Sequence, residues 1–373
     1  MNMHRRFSID WLLFGAMIPL SLAGLSVLAS FGGEEHFFSR QVIWLGISTA
    51  VFFVASFVDW RFLRRTRFAF GAYIAALGLL ALVAVLGVTV KGAQSWFDLG
   101  SFSIQPVEFA KLALIILLAK YFSRRHIEIA RLRHIMVSGI YALTLFAFLL
   151  LQPDFGSAVI VFLIWLGMVS LSGISKKHLA LIGCSAAILG IVFWLFVFSD
   201  YQKARIVTFL HPLADVRGSG YNAFQSMIAV GSGEAFGKGV GYGTQSRLRF
   251  LPEYRTDFSF AAFAEEWGFA GSLALIALYG IVVWRILASA RTGETNFETL
   301  FALGVGVFFV AQFCVNIGMN IGLLPVTGVT LPFLSYGGSH LLMEFVSLGM
   351  LVGMRRRASE MRSASAMEIP GVF

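Results

Sequence analysis

Charged side chains are scarce in this chain. Asp, Glu, Lys and Arg make up 13% of its 373 residues, about half the share of an ordinary soluble domain, too few to clothe a water-facing surface of that size. Cysteine is nearly absent. Cys184 and Cys314 both fall inside apolar runs, where a small hydrophobic side chain accounts for them and no redox or metal chemistry is assigned. The chain also lacks an HExxH, a CxxC and a Walker sequence, and it shows no internal repeat of the kind that marks a paired-repeat transporter. The glycine-rich GSGEAFGKGVGYGT (231–244) resembles a phosphate loop, but Phe236 stands where the fingerprint opened by Gly231 and Gly233 needs its last glycine, and no strand precedes it. Flexible turns that let a loop fold back on the membrane are the better reading.

What the chain has in abundance is apolar surface: 58% hydrophobic residues, 38 of them Phe, and a mean hydropathy of +0.79. Apolar runs long enough to cross a bilayer lie near 11–30, 41–58, 69–90, 105–122, 134–151, 155–172, 179–199, 267–289, 300–321 and 340–354. The expected fold is an all-α polytopic membrane domain filling 1–373, with about ten transmembrane helices. The first run is too long for the core of a signal peptide, and no small-residue cleavage site follows it, so it is read as an anchor. Lys and Arg orient the spans, because basic loops stay cytoplasmic. Nineteen basic residues, among them Arg61, Arg64, Arg124, Arg285, Arg355 and Arg356, fall on one side, and Arg40 and Lys91 alone occupy the alternate short loops. Both termini are expected in the cytoplasm. The net charge of +9 is this asymmetry plus attraction to anionic lipid, not a nucleic-acid surface.

One connection is long. Residues 200–266, between spans seven and eight, form a large outer loop with seven basic and seven acidic residues. Long connections in compact membrane proteins tend to carry function.

Several charges sit where charge is expensive. QPVEFAKL (105–112) puts Glu108 and Lys111 three residues apart on one helical face that Pro106 can start. They are either an ion pair that orients the helix or the lining of a polar cavity. LQPDFGSA (151–158) places Asp154 behind Pro153, as a helix cap or a site residue. Asn316 and Asn320, one turn apart, precede two prolines and several glycines, backbone that membrane depth tolerates only beside protein or a wet cavity; helix packing accounts for the asparagines. In PEYRTDFSFAAFAEEWG (252–268), a helix starting near Thr256 would hold Asp257 in its first turn, with Glu265 about 80° and Glu266 about 180° around the axis. Arg255 and the helix amino end favour an ionised Asp257, while Phe258 and Phe260 oppose it. That residue is either a helix-start aspartate or a general base.

KGAQSWFDLGSFSIQPVEFAKL (91–112), QPDFGSA (152–158), DYQKARI (200–206), GTQSRLRFLPEYRTDFSFAAFAEEWG (243–268) and NIGLLPVTGVTLPFLSYGGS (320–339) together resemble the signature segments of the shape, elongation, division and sporulation (SEDS) family, in order and over nearly the whole chain. KGAQSWFDLG, DYQKAR and GTQS look more like the rod-shape (RodA) branch than the division (FtsW) branch. The resemblance implies a peptidoglycan glycosyltransferase that polymerises lipid II outside the bacterial inner membrane, beside a class B penicillin-binding protein as transpeptidase. It carries the catalytic aspartate onto Asp257, and polar cavity roles onto Glu108, Lys111, Asp154, Gln105 and Arg205. Val107 departs from the serine more usual between Pro and Glu and leaves the charged pair intact.

Chemistry fits those residues. Joining two sugars needs a base for the acceptor hydroxyl and positive charge for the departing diphosphate. Asp257 can be the base, and Arg205, Lys203, Arg247, Arg249 and Arg255 are candidates for the diphosphate. No organic cofactor is evident; a divalent cation such as magnesium could assist, although no tight ligand cluster specifies one. The competing reading is a lipid II flippase in which Glu108, Lys111 and Asp154 line a translocation path, but that reading gives an outer-loop acid no task.

Overall fold

The computed structural model describes Ile9 to Met367 apart from residues 31–34, 91–92, 99, 101, 125–131, 197, 199, 212–217, 219 and 249. Among the described residues it is a bundle of α-helices: α1 (Trp11–Ala29), α2 (Glu35–Phe57), α3 (Thr66–Leu86), α4 (Pro106–Ser123), α5 (Leu132–Leu151), α6 (Phe155–Leu171), α7 (Lys176–Phe196), α8 (Asp200–Leu210), α9 (Tyr221–Ser232), α10 (Thr244–Arg247), α11 (Ser259–Thr292), α12 (Asn296–Asn320) and α13 (Gly338–Met367). Each of the ten apolar runs overlaps one of these helices over most of its length. Seven (α1, α2, α3, α5, α7, α11 and α12) are both long and apolar enough to cross a membrane; α6 is apolar but shorter. α4 carries Glu108, Lys111 and Lys120 along its length, and the far end of α13 is rich in arginine.

The all-α expectation misses one feature. A small antiparallel sheet, β1 (Val88–Val90), β2 (Ala93–Asp98) and β3 (Ser103–Ile104), joins α3 to α4. α3 therefore stops at Leu86, short of the apolar run that reaches residue 90.

α4 is the centre of the bundle, with nearly every residue from Pro106 to Phe122 buried. α3, α5, α6, α12 and α13 surround it. At one end of the bundle, Asp10 caps α1 by accepting from the Leu13 amide at 3.2 Å. The same carboxylate takes Arg285 of α11 and Arg355 of α13, each at 2.6 Å, so one anion fastens three helices through charge-assisted bonds. α7 buries none of its residues.

The segment expected as one long loop is partly helical. α8, α9, α10 and the start of α11 all lie within 200–266. α11 runs 34 residues only by passing through Gly268 at φ 66°, ψ −165°, a conformation open to glycine and not to residues with a Cβ. Before the kink, Ser259 to Glu266 are buried, and Trp267 is exposed.

Candidate active site

Asp257 lies just before α11, not within its first turn: the helix begins at Ser259 with Phe258 as its cap residue. The carboxyl group is half-buried. A Cβ built on Gly328 would stand 3.6 Å from Asp257 Oδ2, which puts the acid directly over the backbone of the 325–337 segment. The main chain around it is clamped. Asn316 and Asn320 each donate through Nδ2 to the Asp257 carbonyl at 3.0 Å, and Asn320 Oδ1 accepts from the Ala261 amide at 3.1 Å. On the other side, Ser335 donates to the Thr256 carbonyl at 2.6 Å and Tyr336 N–H donates to the Arg255 carbonyl at 2.8 Å. The two asparagines, read from sequence as packing residues, thus hold the candidate base in place.

A second polar group lies beside the same segment. Asp154 caps α6, accepting from the Ser157 amide at 3.0 Å, so the capping reading holds locally. It also sits 3.5 Å from Gln105 Nε2, and the Gln105 amide reaches Ser339 Oγ at 3.2 Å. Glu108 and Lys111 form their expected pair at 2.8 Å, both nearly wholly buried. The structure thereby brings Gln105, Glu108, Lys111 and Asp154 together around the first turns of α4 and α6. Gly156 keeps this group close to the 325–337 segment, since a Cβ there would come 2.4 Å from the Thr327 carbonyl oxygen.

Sequence reading missed two members of that cluster, His340 and Glu344 on α13. His340 Nδ1 is 3.1 Å from Glu108 Oε2, and its Nε2 is 2.7 Å from Glu344 Oε1. An ionisable residue within an apolar run was the signal that singled out Glu108 and Lys111, and Glu344 meets the same test.

Glu265 and Glu266 serve the glycine-rich segment. Glu265 Oε1 accepts from Lys238 Nζ at 2.9 Å, Thr244 Oγ1 at 3.1 Å and the Gln245 amide at 3.0 Å. Glu266 accepts from Ser30 Oγ at 2.9 Å and the Gly241 amide at 3.0 Å. Both carboxylates are buried. The segment read as flexible turns is instead pinned to α11, and Glu266 also ties α11 to Ser30 at the end of α1.

The candidate cations do not gather at one point. Arg205 on α8 lines clefts formed with Pro325, Val326 and, on one side, Thr327. Arg255 stacks over Phe37 at 4.1 Å, Lys203 is half-buried on α8 and Arg247 is exposed at the end of α10. Arg249 lies outside the described residues. Among the described residues no group of three His, Cys, Asp or Glu side chains is placed to hold a metal ion.

A family profile for FtsW, RodA and SpoVE, described as a cell cycle protein, matches residues 2–360. The chain belongs to this family. The SEDS family is the one its motifs resemble. Among relatives, the chain is 37% identical to the probable peptidoglycan glycosyltransferase FtsW of Haemophilus influenzae, covering 92% of this chain and 89% of that one. It is 40% identical to the peptidoglycan glycosyltransferase MrdB of Escherichia coli over 76% of each. Among solved structures, a chain from work on structural coordination of polymerization and crosslinking by a peptidoglycan synthase complex superposes with a TM-score of 0.81 at 31% identity, covering 94% of this chain and 99% of that one. Thermus thermophilus rod shape determining protein RodA superposes with a TM-score of 0.71 at 31% identity, over 94% of this chain and 98% of that one. This SEDS chain therefore shares the fold of those proteins over nearly its full length.

Proposed function

We propose that this SEDS protein polymerises lipid II into glycan strands, with Asp257 as the general base. In this reading the acceptor hydroxyl oxygen attacks the anomeric carbon of the donor sugar and its proton passes to Asp257. The bond from that carbon to the diphosphate oxygen breaks, and the electron pair leaves with undecaprenyl diphosphate. One carboxylate suffices if the anomeric configuration inverts, since no covalent sugar intermediate then forms. The observation that carries the reading is the double amide clamp on the Asp257 carbonyl, which fixes the backbone of a half-exposed carboxylate. A base must be held within hydrogen-bond reach of the proton it takes.

Arg205, beside the clefts at Pro325–Thr327, is the cation assigned to the diphosphate, with Lys203, Arg247, Arg249 and Arg255 as the other candidates. Glu108, Lys111 and Asp154 support the site as a polar floor in which Lys111 pairs with Glu108. A divalent ion such as magnesium would assist by adding charge at the diphosphate.

The biological setting follows from the same reading: a multi-pass protein of the bacterial inner membrane, both termini cytoplasmic, Asp257 facing outward, working beside a class B penicillin-binding protein transpeptidase. The rod-shape branch is supported by KGAQSWFDLG, DYQKAR and GTQS and by the 40% identity to MrdB; the relatives named FtsW, at 37% identity for that of H. influenzae, keep the division role as the second reading. A lipid II flippase is the third reading, in which Glu108, Lys111 and Asp154 line a translocation path. Purified protein with its partner and fluorescent lipid II separates enzyme from transporter: polymer on a gel is the expected product, and transport across sealed vesicles without polymer would replace this reading.

A further inference from the structure

We propose that His340 is a positioning residue for glycosyl transfer, tying the buried Glu108–Lys111 pair to the loop that holds Asp257. The proposal rests on the reading of Asp257 given above. His340 is 4% exposed in the first turn of α13. Its ring faces three elements: Glu108 of α4 at 3.1 Å, Glu344 of its own helix at 2.7 Å, and Thr330 Oγ1 of the 325–337 segment at 3.0 Å. Each carboxylate uses its remaining oxygen elsewhere. Glu108 Oε1 takes Lys111 Nζ at 2.8 Å, and Glu344 Oε2 accepts from the Phe333 amide at 2.9 Å.

That amide belongs to a residue under strain. Phe333 has φ 63°, a left-handed conformation that a bulky side chain keeps only when its surroundings hold it. Two residues later Ser335 donates to the carbonyl of Thr256, the neighbour of Asp257. Contacts therefore run unbroken from Lys111 through Glu108, His340, Glu344 and the Phe333 turn to the backbone of the candidate base.

Charge explains why a histidine stands there. Along the run Lys111–Glu108–His340–Glu344, the other three side chains sum to −1 and an imidazolium at His340 offsets that charge, as a water-poor interior favours; Asp154 is held apart from this run by the Ser157 amide. Without it, two carboxylates share one ammonium and the Glu344 anchor of the Phe333 turn is repelled. A base moved by a fraction of an ångström loses rate without losing substrate.

The test measures polymerisation rate against lipid II concentration for the full chain with its partner transpeptidase, normalised to monodisperse folded protein. His340→Gln is expected to lower kcat about 10-fold with KM within about twofold. The double variant His340→Gln/Glu344→Gln removes one charge of each sign, restores the wild-type net charge and is expected to recover about threefold of that loss. An unchanged kcat in His340→Gln overturns the proposal, and so does a double variant no faster than the single one, since packing alone would then account for the loss. Should His340→Gln fail to fold, the double variant decides. Folded protein with kcat about threefold below wild type and unchanged KM supports the proposal, whereas wild-type kcat, or no folded protein, overturns it. Asp257→Asn in the same assay keeps the two readings apart: activity retained there removes the base assignment and leaves the His340 comparison to be judged on its own criteria.

Discussion

Asn320 donates through Nδ2 to the backbone carbonyl of Asp257 at 3.0 Å, while its Oδ1 takes the Ala261 amide at 3.1 Å. One side chain thus spans the junction between the residue proposed as base and the helix that follows it. Because Asn316 donates to the same carbonyl, each asparagine partly covers for the other. Asn320→Ala is expected to cost about 1–3 kcal/mol of stability through the orphaned Ala261 amide, and to lower polymerisation at saturating lipid II. Adding Asn316→Ala leaves the carbonyl bare, so the pair should lose more activity than the two single losses together. Thermal melting and gel assays on the three variants check this, and simple additivity would mean that the shared carbonyl is immaterial.

The Glu108–Lys111 pair makes a second prediction. Either partner alone, stripped of the other inside the bundle, should cost about 3–5 kcal/mol. Glu108→Leu/Lys111→Leu removes one charge of each sign and leaves His340 and Glu344 balanced, so its melting temperature should lie above that of either single variant. Additive losses would show that the pair does not interact.

Glu265 and Glu266 do not cluster with Asp257; their burial and their bonds to Lys238, Thr244, Gln245, Gly241 and Ser30 give them a separate structural task. Glu266→Ala should strip protection from the Gly241 amide, and Glu265→Ala from that of Gln245, in hydrogen exchange, by on the order of 1–3 kcal/mol of local stability. Unaltered exchange over 237–247 would mean that other contacts hold the segment.

Orientation is checked by reporters. One inserted near Gly220 and one fused after Arg357 should report opposite sides of the membrane, because arginine crowds the α13 end and the α8–α9 region follows seven apolar runs. Both reporters in the cytoplasm would overturn the outward-facing site.

The sequence makes the helices legible because bilayer thickness sets a minimum length for an apolar span, and each of the ten apolar runs is helical over most of its length. Glu108 and Lys111 were legible as a pair because three residues on a helix fix their separation. Contacts between distant parts of the chain were not. Nothing local says that His340 meets Glu108, or that Asn320 meets Asp257, since tertiary packing alone sets those distances. The glycine-rich segment read as flexible because its own residues permit many conformations; the two glutamates that select one lie on the opening stretch of α11. The sheet at Val88–Ile104 was hidden for the opposite reason, its first strand continuing the apolar run of α3.

The central claim is that Asp257 takes the acceptor proton. Asp257→Asn keeps the size, the polarity and the backbone carbonyl held by Asn316 and Asn320, so folding should survive. The carboxylate that receives the proton is gone, and polymerisation should fall by roughly 10²- to 10⁴-fold, the usual share of general-base catalysis. The decisive measurement is the initial rate of glycan formation from lipid II by wild type and Asp257→Asn, both purified with the partner and matched for monodispersity. A loss of that size with unchanged melting temperature is the predicted result; a variant that polymerises lipid II at close to the wild-type rate contradicts it.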